Sequence, residues 1–223
     1  MSKIKSSPFV ENPRTMLHDD SSKSSNPSPA LTTRKQRRPI DVAAFDNAMA
    51  CASSVDFSIC AGTVTFKGSG DERKVLVVLN RKYTEDLWQL PKGRKSIDED
   101  ALFTTAVRET YEETGYRVQL LEKNILTRAT SAKQGSGPIF EAQSAEPVAL
   151  VHYQEPGEGL QGGPVTKVCF FYVATVGDDV VPATDTQDDE EVLEPTWLTC
   201  ADALDRLTFA AEKKALEIAM SYS

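Results

Sequence analysis

Residues 90–116 read LPKGRKSIDEDALFTTAVRETYEETGY. The centre of the stretch is Arg108-Glu109-Thr110-Tyr111-Glu112-Glu113-Thr114-Gly115. On a helix, positions i, i+3 and i+4 share a face, so at about 100° per residue Glu109, Glu112 and Glu113 fall within an arc of about 100°. Three carboxylates held that close repel one another. A hard divalent cation turns the repulsion into coordination, because Mg²⁺ and Mn²⁺ prefer oxygen ligands and Mg²⁺ is usually held by carboxylates, waters and substrate phosphates. The pattern therefore points to a metal site and not to a plain surface helix.

The flanks agree with a loop, helix, loop reading. Pro91 and Gly93 are loop residues, and the run Asp98-Glu99-Asp100 suits a helix N-terminus, where the dipole favours negative charge. Ala101, Leu102, Thr105, Ala106 and Val107 supply a packed side, and Gly115 stands where a left-handed C-terminal cap is expected. A solvated acidic helix is the bland alternative. It does not account for the glycines and Arg108 falling where they do.

In that arrangement the stretch resembles the Nudix box of the Nudix hydrolase superfamily. Gly93, Arg108, Glu109, Glu112, Glu113 and Gly115 match the motif. Either Asp100, which keeps the gap to Arg108, or Glu99, which keeps the spacing from Gly93, takes its first acidic position. Thr110 replaces an aliphatic residue, and Tyr116 is bulkier than usual. The resemblance implies an α/β fold, a Nudix-type α/β/α sandwich with a mixed β-sheet and a loop-helix-loop catalytic motif. It also implies cleavage of a diphosphate linkage by water attack on phosphorus, with Mg²⁺ or Mn²⁺ held by Glu109, Glu112, Glu113 and the Gly93 carbonyl. Arg108, placed by its sequence position on another face, would anchor the loop and orient the first glutamate of the block.

Outward from the box, charge is unevenly spread. Residues 1–40 hold 8 of the 25 Lys and Arg and 3 of the 33 Asp and Glu, leaving 17 basic and 30 acidic residues for the rest. A basic arm (1–40) thus precedes an acidic domain (41–223). The arm is rich in Ser and Pro and has no sustained apolar period, so it is expected to be disordered. Arg34-Lys35-Gln36-Arg37-Arg38 suits either a solubilising tail or a nuclear-localisation or polyanion patch. Cys51, Cys60, Cys169 and Cys200 lack metal-ligand spacing, which with no secretory or membrane-spanning run points to a reducing compartment, cytoplasmic or nuclear. Only His18 and His152 are present, which argues against a zinc site or a His-based triad.

Strands are expected at Ser58–Phe66, Lys74–Leu79, Arg117–Leu121, Ile125–Thr127, Glu146–Tyr153 and Lys167–Val173, the last two forming a hairpin. Trp88–Leu90 leads into the box, and Asp185–Glu191 is an acidic run on a loop before Pro195–Leu198. Residues 131–145 read as a loop, and Ala201–Met220 as one helix with an apolar stripe. Phe170 to Val173 alternate poorly, as expected of a strand buried on both faces.

Cleaving an anionic diphosphate requires its charge to be neutralised, a water aimed at phosphorus and a group to take the proton. Arg81, Lys82, Lys92, Arg94 and Lys95 are the candidate phosphate contacts, in an otherwise acidic domain. The Trp-x-Leu-Pro-Lys-Gly lead-in, Arg108-Glu109-Thr110 and a Glu six residues before Trp197 resemble the diadenosine polyphosphate hydrolase branch. That spacing selects Glu191 as general base, with Glu190 and Glu194 as neighbours. The expected partner is a small phosphorylated molecule: a dinucleoside polyphosphate first, a diphosphoinositol polyphosphate second. A Nudix-fold module that binds without catalysis is the third reading, and the presence of all three block glutamates speaks against it. Tyr83 and Tyr153 are candidates to stack on a base.

Overall fold

The computed structural model describes residues 39–130, 139–157, 159, 162–188 and 192–222. The basic arm up to Arg38 lies outside them, as do residues 131–138, Glu190 and Glu191. The chain divides into two units, Met1–Met49 and Ala50–Ser223. The described part of the first holds a short helix, α1 (Val42–Asn47), capped by the Asp41 carboxylate accepting from the Ala44 N–H.

The second unit is built around β1 (Phe57–Lys67), buried without a break from Cys60 to Phe66. Parallel to it runs β9 (Val165–Thr175), in register from Phe57↔Thr166 to Phe66↔Thr175. With β2 (Lys74–Asn80), β5 (Gln119–Leu120) and β10 (Leu193–Thr199) the order is β10-β2-β1-β9-β5. β3 (Leu87–Gln89) joins β2, β4 (Lys92–Arg94) joins β1 and β8 (Ala149–Glu155) joins β9, all antiparallel. The sheet is therefore mixed, and β8 and β9 form the expected hairpin. Phe171, Tyr172 and Val173 are buried as expected, with Phe170 half-buried.

β6 (Lys123–Thr127) pairs with β7 (Phe140–Ser144) in a separate two-stranded sheet. The stretch read as a loop at 131–145 thus ends in a strand. Its Glu, Gln and Ser residues carry little strand propensity, and pairing with β6 overrides that.

Side-chain alternation along β1 sends successive residues to opposite faces. Cys60, Val64 and Phe66 pack in one apolar cluster with Ala203, Leu207, Ala215, Leu216 and Ala219. These come from α3 (Cys200–Arg206), α4 (Ala210–Met220) and the link between them. Ala61 packs with Ala106 of α2 (Leu102–Thr114) on the other face. The layers are helix, sheet, helix, an α/β/α sandwich. The single C-terminal helix expected for Ala201–Met220 is two, broken at 207–209. Thr208 leaves the helix to pair with Trp88: its N–H donates to the Trp88 carbonyl at 2.9 Å and its hydroxyl accepts from the Trp88 N–H at 2.9 Å.

Candidate active site

β4 carries the start of the box into the sheet, with Gly93 opposite Ala61 of β1. A Cβ on Gly93 would stand 2.0 Å from Glu109 Oε2, so any larger residue there must displace the Glu109 carboxylate. The loop after β4 is braced from within: Lys95 donates through its ammonium to the carbonyls of Ser96 and Glu99.

Glu99 fills the first acidic position. It accepts from the Ser96 N–H at 2.9 Å, the Thr105 hydroxyl at 2.7 Å and Arg108 Nε at 2.8 Å, while Asp100 is exposed. The Arg108 guanidinium, with Thr105 and the Ser96 N–H, holds the Glu99 carboxyl down to about 2 against the cost of burial. The acidic run expected at the helix N-terminus lies before it: α2 starts at Leu102 behind Ala101, with no acidic residue in its first turn. Glu99 is instead drawn to Arg108.

Arg108 does not point away from the glutamates. Its Nη1 donates to Glu109 Oε1 and Glu112 Oε2, both at 2.7 Å, and its Nη2 donates to the Arg94 carbonyl at 2.9 Å and Glu99 Oε2 at 3.2 Å. With the Nε contact, all five guanidinium N–H groups have an acceptor. Loop, helix and two block carboxylates meet on one side chain. Glu113, buried, accepts from the Lys92 N–H at 3.0 Å.

At the box position that is usually aliphatic, the Thr110 hydroxyl bonds Ala106 O at 2.7 Å and Thr63 Oγ at 2.8 Å, and Thr63 in turn meets Thr65 Oγ at 2.7 Å. β1 supplies the polar partners that make a threonine tolerable there. Tyr116 packs edge-on to Trp197, ring centroids 5.5 Å apart.

The C-terminal end of α2 is closed by a distant segment. Gly115 has φ +74°, the expected left-handed cap, and a Cβ there would stand 2.2 Å from Ala183 O. Ala183 N–H donates to Gly115 O at 2.9 Å, the Thr186 hydroxyl to Glu112 O at 2.8 Å and Gln187 Nε2 to Glu113 O at 3.0 Å. These contacts occupy carbonyls that a helix end leaves open. Residues 183–187 thus cap α2 and bring Asp188 to the cleft.

The cleft encloses about 900 Å³ and is bordered by Glu109, Glu112, Glu113, Gly93 and Arg108. Of the five candidate cations, Lys92 and Arg94 line it. Arg81 is engaged elsewhere, bridging Asp86 at 3.0 Å and Glu194 at 2.6 Å, and neither Lys82 nor Lys95 borders the cleft. Glu194, read as a neighbour of the general base, is therefore half of a surface ion pair. Glu191 lies outside the described residues.

Several lining groups escaped the sequence reading. Lys167 of β9 borders the cleft paired with Glu155 of β8. Burial, then Arg94, push its ammonium below the usual lysine range. A lysine inside an apolar strand is the one local signal for it. His152 is exposed in β8 and borders the cleft with Tyr83, Tyr153 and Phe209. Glu212, a charge inside the stripe of α4, also reaches the cleft wall.

The donors present, three carboxylates and the Gly93 carbonyl, are all hard oxygens, the set that Mg²⁺ and Mn²⁺ select. Among the described residues no three acidic, histidine or cysteine side chains already converge as a finished site. Arg108 holds one oxygen each of Glu109 and Glu112.

The NUDIX domain model matches residues 59–217. This chain belongs to the Nudix family. Its three block glutamates are intact, and the Nudix enzyme is a pyrophosphohydrolase acting on phosphoric anhydride bonds. No curated protein matches it. Among solved structures it is similar to a Caenorhabditis elegans Ap4A hydrolase binary complex at 17% identity, covering 74% of this chain and 95% of that one, TM-score 0.49. It is also similar to the NUDIX domain of Shewanella oneidensis NrtR complexed with ADP ribose at 17% identity, covering 82% and 98%, TM-score 0.48. A third is the Escherichia coli dihydroneopterin triphosphate pyrophosphohydrolase at 13% identity, covering 72% and 94%, TM-score 0.48. Membership rests on the domain model and the box. No described helix is long and apolar enough to cross a membrane.

Proposed function

We propose that this Nudix enzyme hydrolyses a diphosphate linkage in a dinucleoside polyphosphate, with Mg²⁺ or Mn²⁺ held by Glu109, Glu112, Glu113 and the Gly93 carbonyl. The observation that carries the reading is the make-up of the cleft wall. Carboxylates and cations border the box, and Tyr83, Tyr153 and Phe209 border the same cavity. A chain of phosphates suits the first group and a nucleobase the second.

When bound, such a metal would neutralise phosphate charge and help activate water. The chain's own side chains do the rest. Lys92, Arg94 and Lys167 hold the remaining phosphate charge. Arg108 fixes the loop and keeps the helix carboxylates in place. Glu191, chosen on its spacing to Trp197, takes the proton of the attacking water. The aromatic groups orient the base so that the scissile phosphorus faces that water.

A diphosphoinositol polyphosphate is the second reading, favoured by the cations of the lead-in. Of those three, Lys92 and Arg94 border the cleft and Lys95 does not. The test is a phosphate-release assay with Mg²⁺ on a panel of both substrate classes. Glu112→Gln is expected to lower kcat by at least about 100-fold, the scale of losing a group that acts on the transition state. Turnover unaffected by that change would overturn the mechanism, and no turnover on any substrate would favour a binding module.

A further inference from the structure

Glu212 is a charged residue in an apolar place. It lies in the first turn of α4, 3% exposed, on the face that carries Ala215, Leu216 and Ala219 into the core. Burying a carboxylate there costs several kcal/mol unless partners offset it. Its two oxygens have separate partners. Oε2 accepts from the Leu90 N–H at 2.8 Å, and Oε1 lies 3.3 Å from Lys92 Nζ.

Those partners flank Pro91, so the segment 90–92 is held from three directions. Leu90 N–H goes to Glu212 of α4, Pro91 O accepts from the Thr63 N–H of β1 at 3.2 Å, and Lys92 N–H goes to Glu113 of α2 at 3.0 Å. α4 and α2 cover opposite faces of the sheet. Lys92 spans them, main chain to Glu113 and side chain to Glu212, and its own side chain is only 15% exposed. The next residue is Gly93, closed against Glu109.

We propose that Glu212 is a positioning residue for the metal edge of the site, fixing Gly93 and Glu113 through Leu90 and Lys92. The inference rests on the metal reading given above. It assigns the C-terminal helix a part in metal affinity, although that helix contributes no ligand. Loss of the carboxylate frees the Leu90 N–H and strips Lys92 of its closest counter-ion, and the segment carrying Gly93 loses one of its three attachments.

The test is Mn²⁺ titration of the full chain, followed by electron paramagnetic resonance of the free ion, with kcat and KM measured alongside. Glu212→Leu is expected to weaken Mn²⁺ binding about 10-fold, the scale seen when supporting groups behind metal ligands are removed. The fall should appear in kcat at fixed metal and be partly recovered by excess metal, with KM for the substrate little changed. Glu212→Gln keeps an acceptor for Leu90 and should fall between the two, a rescue that packing alone does not produce. It also carries the test if Glu212→Leu fails to fold. Glu217→Gln, on the exposed side of the same helix, should bind as the parent does. Parental Mn²⁺ affinity in either folded Glu212 variant would overturn the inference alone. A parent chain that binds no Mn²⁺ would overturn the metal reading and this inference with it.

Discussion

The two faces of the central sheet are built from different materials. Toward α3 and α4, β1 offers Cys60, Val64 and Phe66 to an almost wholly apolar cluster. Toward α2 it offers Ala61, packed with Ala106 and Tyr172, and Thr63, whose hydroxyl meets those of Thr65 and Thr110. The first face stabilises by area removed from water, a non-directional effect. The second adds to its apolar contacts a directional bond, Thr63 to Thr110, on the helix that carries Glu109, Glu112 and Glu113. Stability and site geometry are thus separated across one strand, joined at Glu212 and Lys92.

The separation predicts which substitutions cost stability and which cost activity. The largest effect on stability belongs to the apolar face. Leu216→Ala, at a fully buried position, is expected to destabilise by about 2–5 kcal/mol in urea unfolding. Activity per folded molecule should not change. A fall in kcat of the folded fraction would break the comparison.

On the opposite face, acid should act through Glu99. Its folded-state carboxyl lies at about 2, below the ordinary 4.5, so the folded chain binds fewer protons between those values. Its contribution, on the order of 3 kcal/mol, is full above pH 4.5 and lost as pH falls toward 2. Unfolding midpoints measured across that range should fall less steeply for Glu99→Gln than for the parent. Equal slopes would remove Glu99 as the anchor of Arg108.

Gly93→Ala comes next, with the roles reversed. The added methyl meets Glu109 Oε2 and must displace it. A misplacement of that size costs about 100-fold in turnover, with a small change in unfolding midpoint. Full activity would show that the contact between Gly93 and the Glu109 carboxylate is incidental. The smallest effect is at Thr110. Thr110→Val removes hydroxyl contacts to Ala106 and Thr63 and should cost about 1 kcal/mol. Adding Thr63→Val should cost less than the sum of the two singles, as a double-mutant cycle would record.

The box was legible because its chemistry is local: carboxylate spacing on a helix needs no tertiary information. Spacing alone left Glu99 and Asp100 level, and only the path of the loop to Arg108 separates them. The direction of Arg108 depends on its rotamer, which the sequence does not encode by position. Lys167, Asp188 and Glu212 stand far from the box along the chain, and the sheet and helix caps bring them to it. The apolar stripe ran unbroken through Leu207, so the helix break at Thr208 had no local sign. It follows from a hydrogen-bonded pairing with Trp88.

The proposed site requires Glu109, Glu112 and Glu113 to take up a metal with the substrate, Arg108 giving up at least one of the two glutamates it holds, Glu109 and Glu112. A crystal structure with Mg²⁺ and a non-hydrolysable dinucleoside polyphosphate tests it most directly. An ion about 2.0–2.1 Å from carboxylate oxygens of the block and bound also to phosphate is expected, with Arg108 withdrawn from at least one glutamate. Phosphates seated in the cleft with no ion beside them, and Arg108 still bridging Glu109 and Glu112, would contradict it.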